Sequence, residues 1–194
     1  MTYKQVTGNT GSNLIKQLGA SLAVMLTLFT MTAEAKNNIS NILDNNGFET
    51  LLFALDTTEL TSVLDENKVT LFAPTDDVFE ATAEALGCED VLDLATSLLN
   101  TTVGETNALA YVLTYHAYLG RLGNAGKLLT AGDIQMVSGD TATTGVGSNG
   151  LYIKGEVNES PSSITAEFNT SKNDSRVYAI DQILLPIDPT GICG

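Results

Sequence analysis

The sequence predicts one α+β domain, and three observations carry that expectation. Apolar residues between Asn38 and Leu119 mostly recur at helical spacing, and those beyond Lys127 alternate as in strands. No Rossmann-like repetition of strand and helix links the two regions, which favours segregated α+β over α/β. A length of 194 residues suits one core of ordinary size. Nine basic against 23 acidic residues give a formal charge of -14. That balance argues against nonspecific nucleic-acid binding and against charge-driven contact with an anionic membrane, both of which need dense Lys and Arg. The hydrophobic fraction of 43% and mean hydropathy of +0.11 are too high for a disordered acidic tail. One histidine and two cysteines exclude poly-histidine and four-thiolate metal centres, so neither metal nor cofactor is expected.

The amino terminus reads as a leader. Lys4 and Lys16 precede an uncharged apolar stretch from Leu18 to Met31, and Ala33-Glu34-Ala35 follows with small residues where a signal peptidase reads. The stretch is short for a bilayer span of roughly 20 residues, the alternative being an uncleaved anchor. The expectation is a cleaved signal peptide at 1–35 and a mature domain at 36–194, with its core at about 38–186 and no mature membrane span. Removing Lys4, Lys16 and Glu34 leaves 7 basic and 22 acidic residues, a net charge of -15. Export to the periplasm, the medium or the cell surface permits Cys88 and Cys193 to pair across 105 sequence steps. Two free thiols are the alternative.

The elements follow in order. Ile39, Ile42 and Leu43 form a short helical face. Phe48, Leu51, Leu52 and Leu55 form a second after the Asn45-Asn46-Gly47 break, and Leu60, Val63 and Leu64 a third. Each is marginal alone and needs a shared core. Lys68 to Phe72 reads as a strand redirected by Pro74. Thr75 is then placed to cap a helix opening with Asp76 and Asp77, whose charges suit its positive end and whose Val78 and Phe79 point inward. Glu89 to Leu99 is helical, with Val91, Leu92, Ala95, Leu98 and Leu99 inward. Glu105 to Leu119 is the last helix: Leu109, Val112, Leu113 and His116 share one face, and Gly120 and Gly123 offer a stop.

Beyond Lys127, Leu128 and Leu129 lead into a turn at Ala131-Gly132. Strands are expected at Ile134–Val137, Leu151–Lys154, Ser163–Phe168 and Arg176–Leu185. The Thr/Gly-rich stretch Gly139 to Gly150 reads as a loop or hairpin. Alternation and turn residues favour antiparallel pairing.

Three ordered patches carry a family resemblance. Thr70-Leu71-Phe72-Ala73-Pro74-Thr75-Asp76-Asp77-Val78-Phe79 resembles the first fasciclin (FAS1) motif, and Leu113-Thr114-Tyr115-His116 resembles the central tyrosine-histidine motif. Val177-Tyr178-Ala179-Ile180-Asp181-Gln182-Ile183-Leu184-Leu185-Pro186 resembles the closing motif, with Tyr178 where the family often has histidine. The resemblance implies a compact β-sandwich or wedge with several helices packed against one side. It also implies a secreted or surface domain engaged in adhesion, matrix contact or polysaccharide association.

No stronger enzyme emerges from the residues. His116 sits in an apolar helical stripe, where a buried hydrogen-bonded role outweighs that of an exposed base; Tyr115 reads as an aromatic anchor, with surface recognition the alternative. Asp76, Asp77, Glu80, Glu84, Glu89, Asp90 and Asp93 form a solvated acidic edge with no EF-hand loop. Asn38, Asn100, Asn158, Asn169 and Asn173 begin Asn-x-Ser/Thr strings, which accept glycans in a suitable eukaryotic secretory host; chance matching in an Asn/Ser/Thr-rich chain is the preferred reading. The expectation is a noncatalytic adhesion or interaction module for protein or polysaccharide. A structural extracellular scaffold without a ligand and a carbohydrate hydrolase with a carboxylate pair are the alternatives. No Arg-Gly-Asp tripeptide is present.

Overall fold

The structure, a computed structural model, describes residues 37–123 and 125–193. The leader expected at 1–35 lies outside the described residues. Three short helices open the fold: α1 (Ile39–Asn45), α2 (Glu49–Thr57) and α3 (Leu60–Glu66). They bury most of the apolar faces read from spacing, with Leu52 and Leu60 half-buried and Val63 exposed. β1 (Val69–Pro74) follows, then α4 (Asp76–Ala85) and α5 (Val91–Asn100). A two-residue hairpin, β2 (Thr102–Val103) and β3 (Thr106–Asn107), leads into α6 (Ala108–Tyr115). The second half comprises β4 (Ala117–Leu119), α7 (Ala125–Ala131), β5 (Asp133–Gln135), β6 (Thr141–Gly147), β7 (Gly150–Lys154), β8 (Ser162–Asn169) and β9 (Arg176–Ile180).

A seven-stranded sheet runs in the order β4-β1-β9-β8-β7-β6-β5. β1 and β9 are buried along their whole length because apolar layers cover both faces. Leu71, Ala73, Val177 and Ala179 face the core built by α1 to α6. The alternate residues Phe72, Tyr178 and Ile180 face a second core with Leu128, Ile134, Met136 and Ile153. Mixed helices and strands around this large sheet are the expected α+β architecture.

Three local expectations are corrected. The helix read over Glu105 to Leu119 runs only from Ala108 to Tyr115: Thr106–Asn107 pairs with Thr102–Val103, and Ala117–Leu119 pairs antiparallel with β1, from Leu71↔Ala117 to Val69↔Leu119. Leu128 and Leu129 lie on α7 rather than on a strand approach. The strands beyond Lys127 pair antiparallel with one another as expected, while β9 also pairs in parallel with β1, from Thr70↔Arg176 to Pro74↔Ile180. The closing strand stops at Ile180 because Asp181 turns the chain, its carboxylate accepting from the Ser163 amide at 2.6 Å.

Candidate functional site

The family-like patches, far apart in sequence, converge on the end of α6. That helix is started by Asn107, whose side chain accepts from the Ala110 amide at 2.8 Å, and held inward by Leu109, Val112 and Leu113. Its last residue, Tyr115, is fully buried. The phenol donates to the Thr141 carbonyl at 2.7 Å and accepts from the Glu156 amide at 2.8 Å, so one hydroxyl ties the helix to β6 and to the chain beyond β7. Burial raises its pKa.

His116 works in the opposite direction. Its Nδ1 lies 2.7 Å from the Val112 carbonyl, which can only accept, so Nδ1 carries the proton. Nε2 then accepts from the Leu184 amide at 2.9 Å. Both ring nitrogens are committed, to a tautomer fixed by the backbone. The ring is 2% exposed, and burial pulls its pKa down to about 4 against a partial opposing effect of the Val112 bond. It is neutral at neutral pH and has no free nitrogen for base chemistry. Its own carbonyl accepts from the Phe72 amide at 2.8 Å, so His116 joins the central, first and closing patches.

The remaining motif residues are structural neighbours of this junction. Thr70 is buried, donates to the Gly120 carbonyl and accepts from the Leu122 amide, both at 2.9 Å. Phe72 and Tyr178 stack with ring centroids 5.8 Å apart, and the Tyr178 hydroxyl donates to the Leu122 carbonyl at 2.9 Å. Tyr178 thus completes an aromatic pair in the second core where the family often has histidine. Ala73, Pro74, Val177 and Ile180 are buried in β1 and β9; Leu184 is buried, and Leu185 and Pro186 are half-buried. Phe79 is buried on α4.

The cap expected of Thr75 is made differently. Its side chain forms no capping bond, while its carbonyl accepts from the Val78 and Phe79 amides. Asp76 turns away and caps α2, accepting from the amides of Glu49 at 3.2 Å and Thr50 at 2.7 Å. Asp90 caps α5 through the Asp93 amide, and Asp93 accepts from the Glu89 amide. The acidic edge is therefore partly a set of amide acceptors. Cys88 and Cys193 form a disulfide, with Cα atoms 5.0 Å apart. Asp93 lies close to both sulfurs, but sulfurs joined to each other offer no thiolate to a cation.

Sequence reading missed two clips. The Asn158 side chain donates to the Ile183 carbonyl at 2.9 Å and accepts from the Leu185 amide at 2.8 Å, gripping the closing segment on either side of the His116 contact. Asp174, with φ of 54°, pairs with Lys68 and Arg121, and those two cations hold its carboxyl below the usual range. An Asn before Pro161 and an Asp in a polar turn carry no local signal of such distant partners. Tyr111 was missed too: it donates to Asp140 at 2.6 Å, and that carboxylate pushes its pKa up to about 12.

A comparison with curated proteins found no match. Among solved structures, a FAS1 domain pair from the insect cell adhesion molecule Fasciclin I matches with 14% identity and a TM-score of 0.46. The match covers 73% of this chain and 46% of that one, so the chain spans about half the length of that protein. The family model described as Fasciclin domain matches residues 46–186, a span that contains all three patches meeting at His116, and the chain belongs to the fasciclin-domain family.

Proposed function

We propose that this protein is an exported, noncatalytic interaction module that binds a protein or polysaccharide at a cell surface or in a matrix. The Fasciclin-domain match over residues 46–186 carries the reading. The state of the one histidine supports it: both nitrogens of His116 are held by backbone partners, and its imidazole stays neutral far below neutral pH. Tyr115 and His116 fit a role in shaping the domain better than direct contact with a partner, since both are buried. Among the described residues no helix is long and apolar enough to cross a membrane. A mature charge of -15 after removal of 1–35 selects the partner chemistry: a neutral glycan or a basic protein surface, because an anionic partner meets repulsion.

The test incubates the purified protein with cell-envelope fractions and with glycan and protein arrays while mass spectrometry follows product formation. Saturable binding without turnover is expected. Binding to a basic protein weakens as salt rises, whereas binding to a neutral glycan does not. Multiple-turnover cleavage of a glycan, lost when a carboxylate pair is substituted in a domain that still folds, would reject the reading.

A further inference from the structure

Between α2, α4, α5, α6 and the closing segment lies a cavity of about 380 Å³. Its wall is apolar almost throughout, with Ala54, Leu94, Leu98, Leu113, Ile183 and Ile192 contributed by separate parts of the chain. The polar residues of the lining are Glu49, Thr50, Thr82 and His116, and the last two have their polar atoms engaged within the protein. Thr82 donates its hydroxyl to the Val78 carbonyl at 2.7 Å, and His116 has both nitrogens occupied. Water in such a space finds too few partners to be held. Left empty, the space forfeits the dispersion contacts that a packed interior normally makes. The volume falls within the range of small-molecule sites, which are also mostly apolar and few per protein.

The lining also tells where the cavity opens. Phe53 and Leu92 line it and yet are 60% and 62% exposed, so their side chains mark the mouth. Leu92 was expected to point inward; its exposure makes sense as part of this rim. Glu49 is the one ionised residue of the lining, and it too is exposed. An anionic head group at the mouth would face Glu49 within a chain of net charge -14. The enclosing wall comes from helices on one side and from the segment through Ile183 and Ile192 on the other, which the Cys88–Cys193 bond fastens to the end of α4.

We infer that this cavity is a binding site for a neutral aliphatic lipid, a long-chain alcohol or an uncharged chain of similar size. The apolar tail fills the space beside His116 and the uncharged head lies at the Phe53–Leu92 mouth. Its occupancy does not depend on a macromolecular partner being found.

The test uses protein produced from the full chain with its disulfide formed, and the neutral dye N-phenylnaphthylamine, which fluoresces in apolar surroundings. Saturable enhancement at one dye per chain is expected, reversed by dodecanol and far less by hexanol. Dodecanoate at a pH where it is ionised should compete at least about tenfold more weakly than dodecanol. Ala95→Trp, which extends an indole from α5 into the space without deleting any core group, should abolish dye binding while the thermal midpoint is kept or raised. Should that variant not fold, Phe53→Ser at the exposed mouth should weaken dodecanol binding several-fold in a folded protein. No saturable dye binding, equal competition by dodecanoate, or undiminished dye binding in folded Ala95→Trp or Phe53→Ser each overturns the inference. So does light scattering that shows dimers broken by dodecanol, because a second copy would then be the occupant.

Discussion

At the residue scale, His116 combines two properties that rarely coexist cheaply: full burial and a titratable ring. Its folded pKa lies near 4 against about 6.5 for an unfolded histidine. The folded state therefore prefers the neutral ring, and the unfolded state takes up the proton first. Stability from this difference is fully present above about pH 6.5 and is lost as pH falls through about 4, a change of about 3 kcal/mol. His116→Gln keeps a polar side chain without that titration. Denaturant unfolding of both proteins should show the wild type ahead at neutral pH by roughly 1–3 kcal/mol, from the disturbed Leu184 and Val112 bonds. The gap should close or invert near pH 4. Carboxylate protonation acts on both proteins alike and cancels in the comparison. Parallel pH profiles would mean that the imidazole is not buried neutral. The helical face shared with Leu109, Val112 and Leu113 made the burial legible in sequence. The Leu184 amide, 68 residues away, was not, because a single accepting nitrogen leaves no periodic trace.

At the element scale, the closing segment after β9 is held by bonds and packing rather than by a sheet. Asn158 clips Ile183 and Leu185, His116 accepts from Leu184, and Ile187 and Ile192 pack on the helical core before the disulfide. Gly155 makes room for this clip: a Cβ there would strike the Asn158 side chain and sit 3.1 Å from the Leu185 nitrogen. Reduction of Cys88–Cys193 should leave a folded but weaker protein, with up to about 4–5 kcal/mol lost in the chain-entropy account of a loop this long. Calorimetry with and without reductant, alongside Cys193→Ser, measures it; an unchanged midpoint after complete reduction would show that the bridge constrains nothing. Elements with a clear period were readable: α1, α2, α5 and most of α6 announced themselves by apolar spacing. α7 did not. Seven residues with Leu128 beside Leu129 fit a strand approach as well as a helix, and contact with the second core decided the matter. The end of α6 was overrun for a related reason. Apolar spacing continues toward Leu119, but β1 offers its free edge to Ala117–Leu119, and inter-strand bonds there override the helical tendency.

At the scale of the whole molecule, the division into a helix-rich first half and a strand-rich second half was legible, while the way they interlock was not. Alternation tells which residues share a face of a strand but not which strand lies alongside, and β1 and β9 show no local mark of being partners. That pairing orders the assembly of the fold. A strand near residue 70 waits for one near residue 176, so the centre of the sheet is formed by residues about a hundred positions apart. Contacts of such separation slow folding, since the intervening loop must close before any of them is gained. A chain truncated after Asn169 keeps α1 to α7 but lacks the strand between β1 and β8, and its first-half apolar faces have no completed sheet to rest on. It should give a collapsed, protease-sensitive species with broadened amide resonances; a cooperative thermal transition in that truncation would contradict this view. For a polypeptide handed across a membrane as an extended thread, the same arrangement works as a delay. The amino-terminal helices can flicker into being on either side of a translocation pore, yet they set into no rigid body there, because the strand that locks the structure follows its partner β1 by about a hundred residues.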